Sequence, residues 1–475
     1  MAPDAVELPA KTGSGNVQRD DEDELYQDVV SQFPFLSGYS HVLFIFQPDA
    51  NRSSEMILAA LRHGFDKLVS QVPWLGGQLL HTPGPTGSSG HYSVAPWPSD
   101  APANELIRVK HCEDLIPPMA QIMRAGAPAF MLDGKILTPF PSLPLPHGQD
   151  PPLPVINLQV NFIRGGVLLN TTTHHMAIDA TGVVQIMRLL ATILHGRDIP
   201  VAELEQANRD RRRVLQLIPR GEPVKDHSHL RAPPGHVTSP PSSPPKWCYF
   251  KMPVATVSTL KRLVASQQLR QVQQISVNDI ISAFCWQRIT AIRLARGFSP
   301  DTKTKMTRTI DARGALGVPI TYIGHLTYFS VSQLPMSQVV SVPLVNIAHT
   351  LRRDLNAANT PWAIRSFATF IARQLDKSNL VYAGIRNLDT DLGTTALSSS
   401  QSGAQNESSV LAEDFGPVFG RLMCIRRPNV SPLTGGITIS PVEDGAIPIV
   451  LCMPEADLEG LKKDRDWSRY MKHVG

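Results

Sequence analysis

Two adjacent histidines followed closely by an aspartate form the segment of this sequence best suited to acid–base chemistry. The residues are His174 and His175, with Asp179 four positions after the second histidine. A neutral imidazole has an ordinary pKa of about 6.5, so it can accept a hydroxyl proton at neutral pH. A well-placed base of this kind accelerates a reaction by roughly 10² to 10⁴. The pattern predicts His175 as a general base, with Asp179 shaping the loop or orienting the imidazole.

The same three residues admit two other interpretations. A histidine at the end of a strand is more often a packed or surface side chain than a catalyst, and H-x-x-x-D occurs often by chance. The residue types would also suit a metal ion. However, neighbouring residues of an extended segment point to opposite faces, so the two histidines do not favour one shared ion. We therefore expect no metal site, and we expect His174 to face away from His175.

The histidines lie between a predicted hairpin and a predicted helix. Residues 155–163 and 167–173 are mostly apolar runs with β-branched residues, separated by a glycine-containing turn, which predicts a β-hairpin. After Asp179, apolar residues return at helical spacing as far as Ile193. His174 to Asp179 therefore connect a buried strand to a helix, where side chains can face a cleft.

The length of the chain predicts two domains. A chain of 475 residues is too long for one ordinary core, and its hydrophobic fraction of 42% is enough for two. Between Pro219 and Pro245, prolines alternate with serine, glycine and histidine, which is typical of a semi-rigid linker. We predict a disordered acidic N-terminus at 1–28, an N-terminal domain at 29–218, a crossover linker at 219–246 and a C-terminal domain at 247–475.

Charge and cysteine content argue against several classes of protein. The net charge is +4 without a long basic run, which gives no case for nucleic-acid binding. The five cysteines are widely spaced and contain no C-x-x-C pair, so we expect neither a disulfide framework nor a zinc site. This cysteine content predicts a protein of a reducing compartment. The sequence shows no signal segment and no apolar run long enough to span a bilayer. These features predict a cytoplasmic protein without membrane association.

Several motifs in the same order resemble the BAHD acyltransferases, which belong to the chloramphenicol-acetyltransferase-like superfamily. The resemblance covers nearly the whole chain and is closest to the fungal branch that includes trichothecene 3-O-acetyltransferase. Besides the HxxxD segment, it rests on Pro154 to Gly166, Ser276 to Asp279, Asp311-Ala312-Arg313, Asp414-Phe415-Gly416-Pro417-Val418-Phe419-Gly420 and the tail from Asp466 to Gly475.

The resemblance implies both a fold and an activity. The fold is α/β, with two similar domains, each a mixed sheet covered by helices, and an active-site channel between them. The activity is coenzyme-A-dependent O-acyl transfer, acetylating a hydroxyl of a fungal secondary metabolite. The implied partners are acyl-CoA, most simply acetyl-CoA, and a small-molecule alcohol, with no permanently bound cofactor and a monomeric enzyme. The absence of a G-x-S-x-G elbow agrees with transfer without a covalent acyl-enzyme.

The resemblance also implies roles for individual residues. His175 matches the family's catalytic histidine, and Asp179 matches an aspartate that pairs with an arginine, here Arg313. Asp414 heads the counterpart of the family's D-F-G-W-G motif and is a candidate catalytic or structural residue. This chain departs from the motif, because Pro417-Val418-Phe419 replaces the single tryptophan.

A serine-rich segment precedes Asp414 in the same order as in the family. By the resemblance, Ser399 is a candidate contact for the coenzyme. A flexible serine-rich loop without a binding role is the alternative that composition favours.

Two other functions share these features. A carrier-dependent condensation domain also has H-H-x-x-x-D and this length, although no carrier-like segment is present in the chain. The third hypothesis is a non-catalytic homologue that binds a metabolite. The presence of His175, Asp179 and Arg313 together argues against it.

Overall fold

The computed structural model describes residues 28–49, 51–144, 152–266, 274–397 and 414–475. Residues 1–27 of the predicted acidic N-terminus lie outside this part of the chain, and so does Ser399. Asp28, the last residue of that predicted segment, is buried and forms an ion pair with Arg211.

The strands of the described residues are numbered here in chain order. They are β1 Tyr39–Phe46, β2 Gln78–Thr82, β3 His91–Ala95, β4 Ile107–His111, β5 Leu153–Pro154, β6 Ile156–Ile163, β7 Gly166–His174, β8 Pro245–Pro253, β9 Lys303–Asp311, β10 Thr327–Pro335, β11 Leu392–Ala396, β12 Leu422–Arg426, β13 Gly436–Ile439, β14 Ala446–Pro454 and β15 Lys472–His473.

The α-helices are numbered in the same way. They are α1 Ser54–Gln71, α2 Met119–Arg124, α3 Gly134–Leu137, α4 Ala180–Leu194, α5 Val201–Ala207, α6 Val254–Ser266, α7 Val277–Ala295, α8 Arg313–Leu316, α9 Met336–Ser341, α10 Leu344–Ala358, α11 Pro361–Ala372, α12 Gly416–Phe419, α13 Glu455–Lys463 and α14 Arg465–Tyr470.

The first large sheet has the strand order β12-β1-β7-β6-β4. The predicted hairpin is confirmed, because β6 and β7 pair antiparallel from Ile156 opposite Thr173 to Ile163 opposite Gly166. β4 pairs parallel to β6, so the sheet is mixed. Every residue of β6 is buried, as expected of a strand covered on both faces.

The second large sheet has the order β10-β9-β11-β13-β14-β8-β15. β11 runs parallel to both β9 and β13, whereas the outer pairs are antiparallel, so this sheet is mixed as well. A smaller sheet, β3-β2-β5, lies apart from these two. The predicted α/β architecture of mixed sheets covered by helices is confirmed.

Helices α1 and α4 cover the first sheet because each carries one apolar stripe. In α1 the buried residues include Ile57, Leu61, Phe65 and Leu68, which recur every three or four positions and so lie on one face of the helix. The helix stops at Gln71, two residues before Pro73, since proline cannot continue it. α1 and α4 also pack against each other.

One strand crosses between the two halves of the sequence. β12 belongs to residues 414–475 but pairs antiparallel with β1 at the edge of the first sheet, with Leu43 opposite Arg426. The predicted domain bounds of 29–218 and 247–475 remain a prediction. The first sheet nevertheless takes a strand from beyond the linker, so the two halves are interlocked.

None of the helices in the described ranges combines the length and the apolar character that crossing a bilayer requires.

Candidate active site

A cavity of about 250 Å³ lies between the two large sheets and contains His175 in its lining. One side is formed by β1 and the start of α4. The other side is formed by β9, β11 and β13, whose threonines face the cavity. His174 does not line it, which agrees with the expectation that adjacent residues of the strand face opposite ways.

His175 follows β7 directly, and its ring has one hydrogen bond to the described residues. Its Nδ1 lies 3.2 Å from the carbonyl oxygen of Ile178. A carbonyl can only accept, so we assign the proton to Nδ1, which leaves the Nε2 lone pair free. Burial lowers the pKa of His175 below its ordinary value. The ring is therefore neutral at pH 7, in the form that can take a proton.

The backbone carbonyls from His175 to Ile178 all accept hydrogen bonds. His325 Nδ1 donates to His175 O over 2.7 Å, and Ser31 Oγ donates to Met176 O over 2.7 Å. Ala177 O accepts from the His325 amide at 3.0 Å and from Arg211. With its carbonyls fixed in this way, the loop holds the His175 ring in place before a substrate arrives.

Asp179 is saturated by hydrogen bonds and does not reach the His175 ring. Arg313 donates to both carboxylate oxygens, at 2.9 and 3.0 Å. The amides of Gly182 and Leu326 donate at 2.8 Å each, so Asp179 also caps α4. Burial alone would raise the pKa of Asp179, but the charge and hydrogen bonds of Arg313 lower it below its ordinary value.

Arg313 is buried and has further partners besides Asp179. Its guanidinium donates to Asp311 Oδ1 and to the carbonyls of Tyr322 and Gly324. The Asp179–Arg313 contact expected from the resemblance is therefore present. It joins the start of α4 to the segment that leads into β10.

His325 belongs to that segment and was not singled out in the sequence. Its Nδ1 donates to His175 O, so its Nε2 is unprotonated and accepts from the Thr327 hydroxyl at 2.8 Å. Its ring lies edge-on to the His175 ring, with centroids 5.4 Å apart. Burial lowers the pKa of His325 to about 3, so it stays neutral. No local spacing relates it to His175, because 150 residues separate them.

His174 is buried behind the cavity. Neither of its ring nitrogens has a hydrogen-bond partner in the described part of the chain, and the ring packs edge-on against Tyr39. Burial lowers the pKa of His174 to about 3. This environment makes His174 a neutral packing residue.

Asp414 does not line the cavity, and its side chain is 51% exposed. Its Oδ1 accepts from the Gly416 amide at 2.9 Å, and its carbonyl accepts from His195 Nε2 at 2.7 Å. The segment Gly416–Phe419 forms the short helix α12, and Phe415 and Phe419 pack on Phe46. The structure thus brings together His175, Asp179 and Arg313, and it places Asp414 at the far end of α4.

The structural comparisons define the class of fold. The crystal structure of TRI101 from Fusarium sporotrichioides, complexed with coenzyme A and T-2, matches with a TM-score of 0.83 and 26% sequence identity. The match covers 94% of this chain and 99% of that one. The protein therefore has the two-domain chloramphenicol-acetyltransferase-like fold, with its cavity between the two sheets.

The sequence comparisons define the family. A model of the Transferase family matches residues 141–467, and a model of the trichothecene 3-O-acetyltransferase-like N-terminal domain matches residues 39–193. O-acyltransferase pigD of Monascus ruber is 36% identical, covering 94% of this chain and 98% of that protein. O-acetyltransferase SAT5 of Stachybotrys chartarum is 35% identical, covering 95% and 96%. The chain belongs to the Transferase family and is a BAHD-type acyl-CoA-dependent acyltransferase of the fungal branch.

Proposed function

We propose that this chain transfers an acetyl group from acetyl-CoA to a hydroxyl of a fungal secondary metabolite, with His175 as general base. The observation that carries the proposal is the position of the His175 ring in the cavity, with Nδ1 bonded to Ile178 O. Relatives named O-acetyltransferases support the acyl group and the acceptor atom. The coenzyme A and T-2 held by the matching Fusarium structure support a ternary complex.

The chemistry follows from the assigned protonation of His175. Nε2 removes the proton of the acceptor hydroxyl as its oxygen attacks the thioester carbonyl. The imidazolium formed in this step returns the proton to the departing coenzyme A thiolate. In the described part of the chain, the ring is hydrogen-bonded to Ile178 O and to no serine or cysteine. This pattern supports direct transfer without a covalent acyl-enzyme.

The remaining site residues have supporting roles in this proposal. Asp179 and Arg313 fix the loop and the start of α4 without touching the reacting atoms. Asp414 stabilises the turn into α12, which packs on α4 and α1. Ser399 remains a candidate coenzyme contact. The five cysteines, all unpaired and buried, support a reducing, cytoplasmic location.

The test of the base is the variant His175→Ala. We expect a folded protein whose acetyl transfer falls by roughly 10² to 10⁴, because the proton acceptor is gone. The measurement is the mass gain of candidate metabolites incubated with acetyl-CoA, with folding checked by circular dichroism. His63→Ala, which makes the same substitution at an exposed position of α1, is the matched control and is expected to retain turnover. Wild-type turnover by folded His175→Ala would contradict the mechanism.

The same assay separates the other two functions. Mass gain with acetyl-CoA as the donor, without any carrier protein, contradicts the condensation-type enzyme. Tight metabolite binding without mass gain for any thioester would favour the binding homologue.

A further inference from the structure

Arg427 is a cation in the active-site cavity that lacks an ionic partner among the described residues. It directly follows β12, and it lines the same cavity as His175. Its Nε and Nη2 atoms are buried and have no hydrogen-bond partner in the described ranges. A guanidinium stays protonated at any ordinary pH, and a buried charge without a partner is strongly unfavourable. Such a guanidinium is suited to binding an anionic ligand.

The neighbouring arginines have hydrogen bonds that the Arg427 guanidinium lacks among the described residues. Arg426 donates to both carboxylate oxygens of Glu443, at 2.6 and 2.8 Å. Arg386, which also lines the cavity, donates to the carbonyl of Thr434 at 3.0 Å. Among the described lining residues the one carboxylate is that of Asp179, which Arg313 neutralises. No carboxylate among the described lining residues is left to pair with Arg427 or Arg386, so this part of the cavity is positively charged.

The position of Arg427 is fixed from both the backbone and the side chain. The Tyr249 hydroxyl accepts from the Arg427 amide at 2.7 Å and donates to the Arg427 carbonyl at 3.1 Å. The guanidinium lies over the Trp247 ring, 4.5 Å from its centroid, as in a cation–π contact. The Trp247 indole is itself held by a 2.9 Å hydrogen bond to Val430 O. This preorganisation lowers the entropy cost of binding a ligand.

We propose that Arg427 binds an anionic group of the acceptor, so that the preferred acceptors are alcohols that also carry a carboxylate. This proposal rests on the proposed function, which makes the second substrate an alcohol that accepts the acetyl group. The planar fork of a guanidinium matches a carboxylate with two parallel hydrogen bonds, a match that a neutral amide cannot reproduce.

Two ligands of similar size and shape, one anionic and one neutral, test whether the charge of the ligand determines its affinity. The probes are 4-(hydroxymethyl)benzoate and 4-(hydroxymethyl)benzamide, titrated by calorimetry into protein saturated with coenzyme A. We expect the wild type to bind the benzoate about tenfold more tightly. Arg427→Gln should abolish the preference, and Arg427→Lys should keep part of it. Arg465→Gln removes a positive charge at an exposed position and should leave the preference unchanged.

Three results would overturn the proposal. They are equal or absent binding of the two probes by the wild type, a preference that survives in Arg427→Gln, and a selective loss of coenzyme A binding in that variant. In the last case, equal binding of coenzyme A and dephospho-coenzyme A by Arg427→Gln would assign the anion to the coenzyme phosphate.

The variant His175→Ala distinguishes this proposal from the proposed function. Binding of the benzoate should persist in His175→Ala because Arg427 is intact, although acetyl transfer is lost. Unchanged acetyl transfer by His175→Ala would contradict the role of His175 as general base. The role of Arg427 would still be tested separately, by whether the wild type prefers the benzoate and Arg427→Gln does not.

Discussion

His175 and Asp179 lie four residues apart but have different environments. Among the described residues, the His175 ring lines the cavity with one hydrogen bond, whereas the Asp179 carboxylate accepts from four donors. A carboxylate with every lone pair engaged is a poor proton acceptor. At the scale of single residues, the H-x-x-x-D motif therefore combines His175, which is placed to accept a proton, with Asp179, which holds the surrounding structure.

Removal of the Asp179 charge should destabilise the protein. In Asp179→Asn, the buried Arg313 keeps Asp311 as its one carboxylate partner among the described residues, so we expect the free energy of unfolding to fall by about 3 kcal/mol, the lower end for breaking a buried pair. The measurement is urea denaturation at pH 7.5. The double variant Asp179→Asn/Arg313→Gln should lose less than the sum of the two single variants, because neither charge is then left alone. Strict additivity would show that the pair does not interact.

The elements around the cavity were largely predictable from the sequence. The hairpin of β6 and β7, the amphipathic helices α1 and α4, and the long helix α7 follow from local patterns of apolar residues. α7 begins at Ser276, whose side chain forms a capping box with Asp279. By contrast, the pairing of β12 with β1 follows from no local pattern, since nearly four hundred residues of chain separate them.

The segment from Tyr322 to Thr327 is the element that positions the loop carrying His175. It supplies carbonyls to Arg313, an amide to Asp179 and the His325 side chain to His175 O. Its function depends on contacts with the loop after β7, so its residues carry no recognisable spacing of their own. At the scale of elements, His325 is a positioning residue for His175.

The variant pair His325→Leu and His325→Asn tests this role. Leucine removes the donor to His175 O, so we expect kcat to fall by about tenfold to 10²-fold through misplacement of the ring. KM for acetyl-CoA should stay unchanged. Asparagine places its amide nitrogen where Nδ1 was and should restore most of kcat. Equal kcat values for the two variants would contradict the positioning role.

Among the described residues of the whole molecule, three buried histidines have a pKa lowered to about 3. The residues are His41, His174 and His325, and burial lowers the pKa of each. In the unfolded chain each would titrate near about 6.5. Between these values the unfolded state binds more protons than the folded state, so the free energy of unfolding falls as the pH falls.

The expected acid sensitivity can be measured directly. For each of the three histidines, the free energy of unfolding is unaffected above about pH 6.5 and falls steadily between about pH 6.5 and about pH 3. At pH 5 the loss is roughly 2 kcal/mol for each histidine. His174→Phe removes one of these titrating groups, so the free energy of unfolding should depend less steeply on pH, by the equivalent of one proton. The substitution should not otherwise disturb the fold through lost hydrogen bonds, because the His174 ring has none to the described residues. Urea titrations at pH 7.5 and pH 5 measure both slopes. A variant with the wild-type slope would show that His174 is protonated in the folded state.

The sequence by itself determined the local elements, the candidate base and the class of fold. These follow from periodicity, from turn residues and from the order of several motifs. Tertiary structure alone decided which side chains meet in the cavity: His325 beside His175, and Arg427 held by Tyr249 and Trp247. The physical reason is that hydrogen bonds and charge compensation act through space. Residues far apart in the chain therefore acquire their roles when the two sheets close around the cavity.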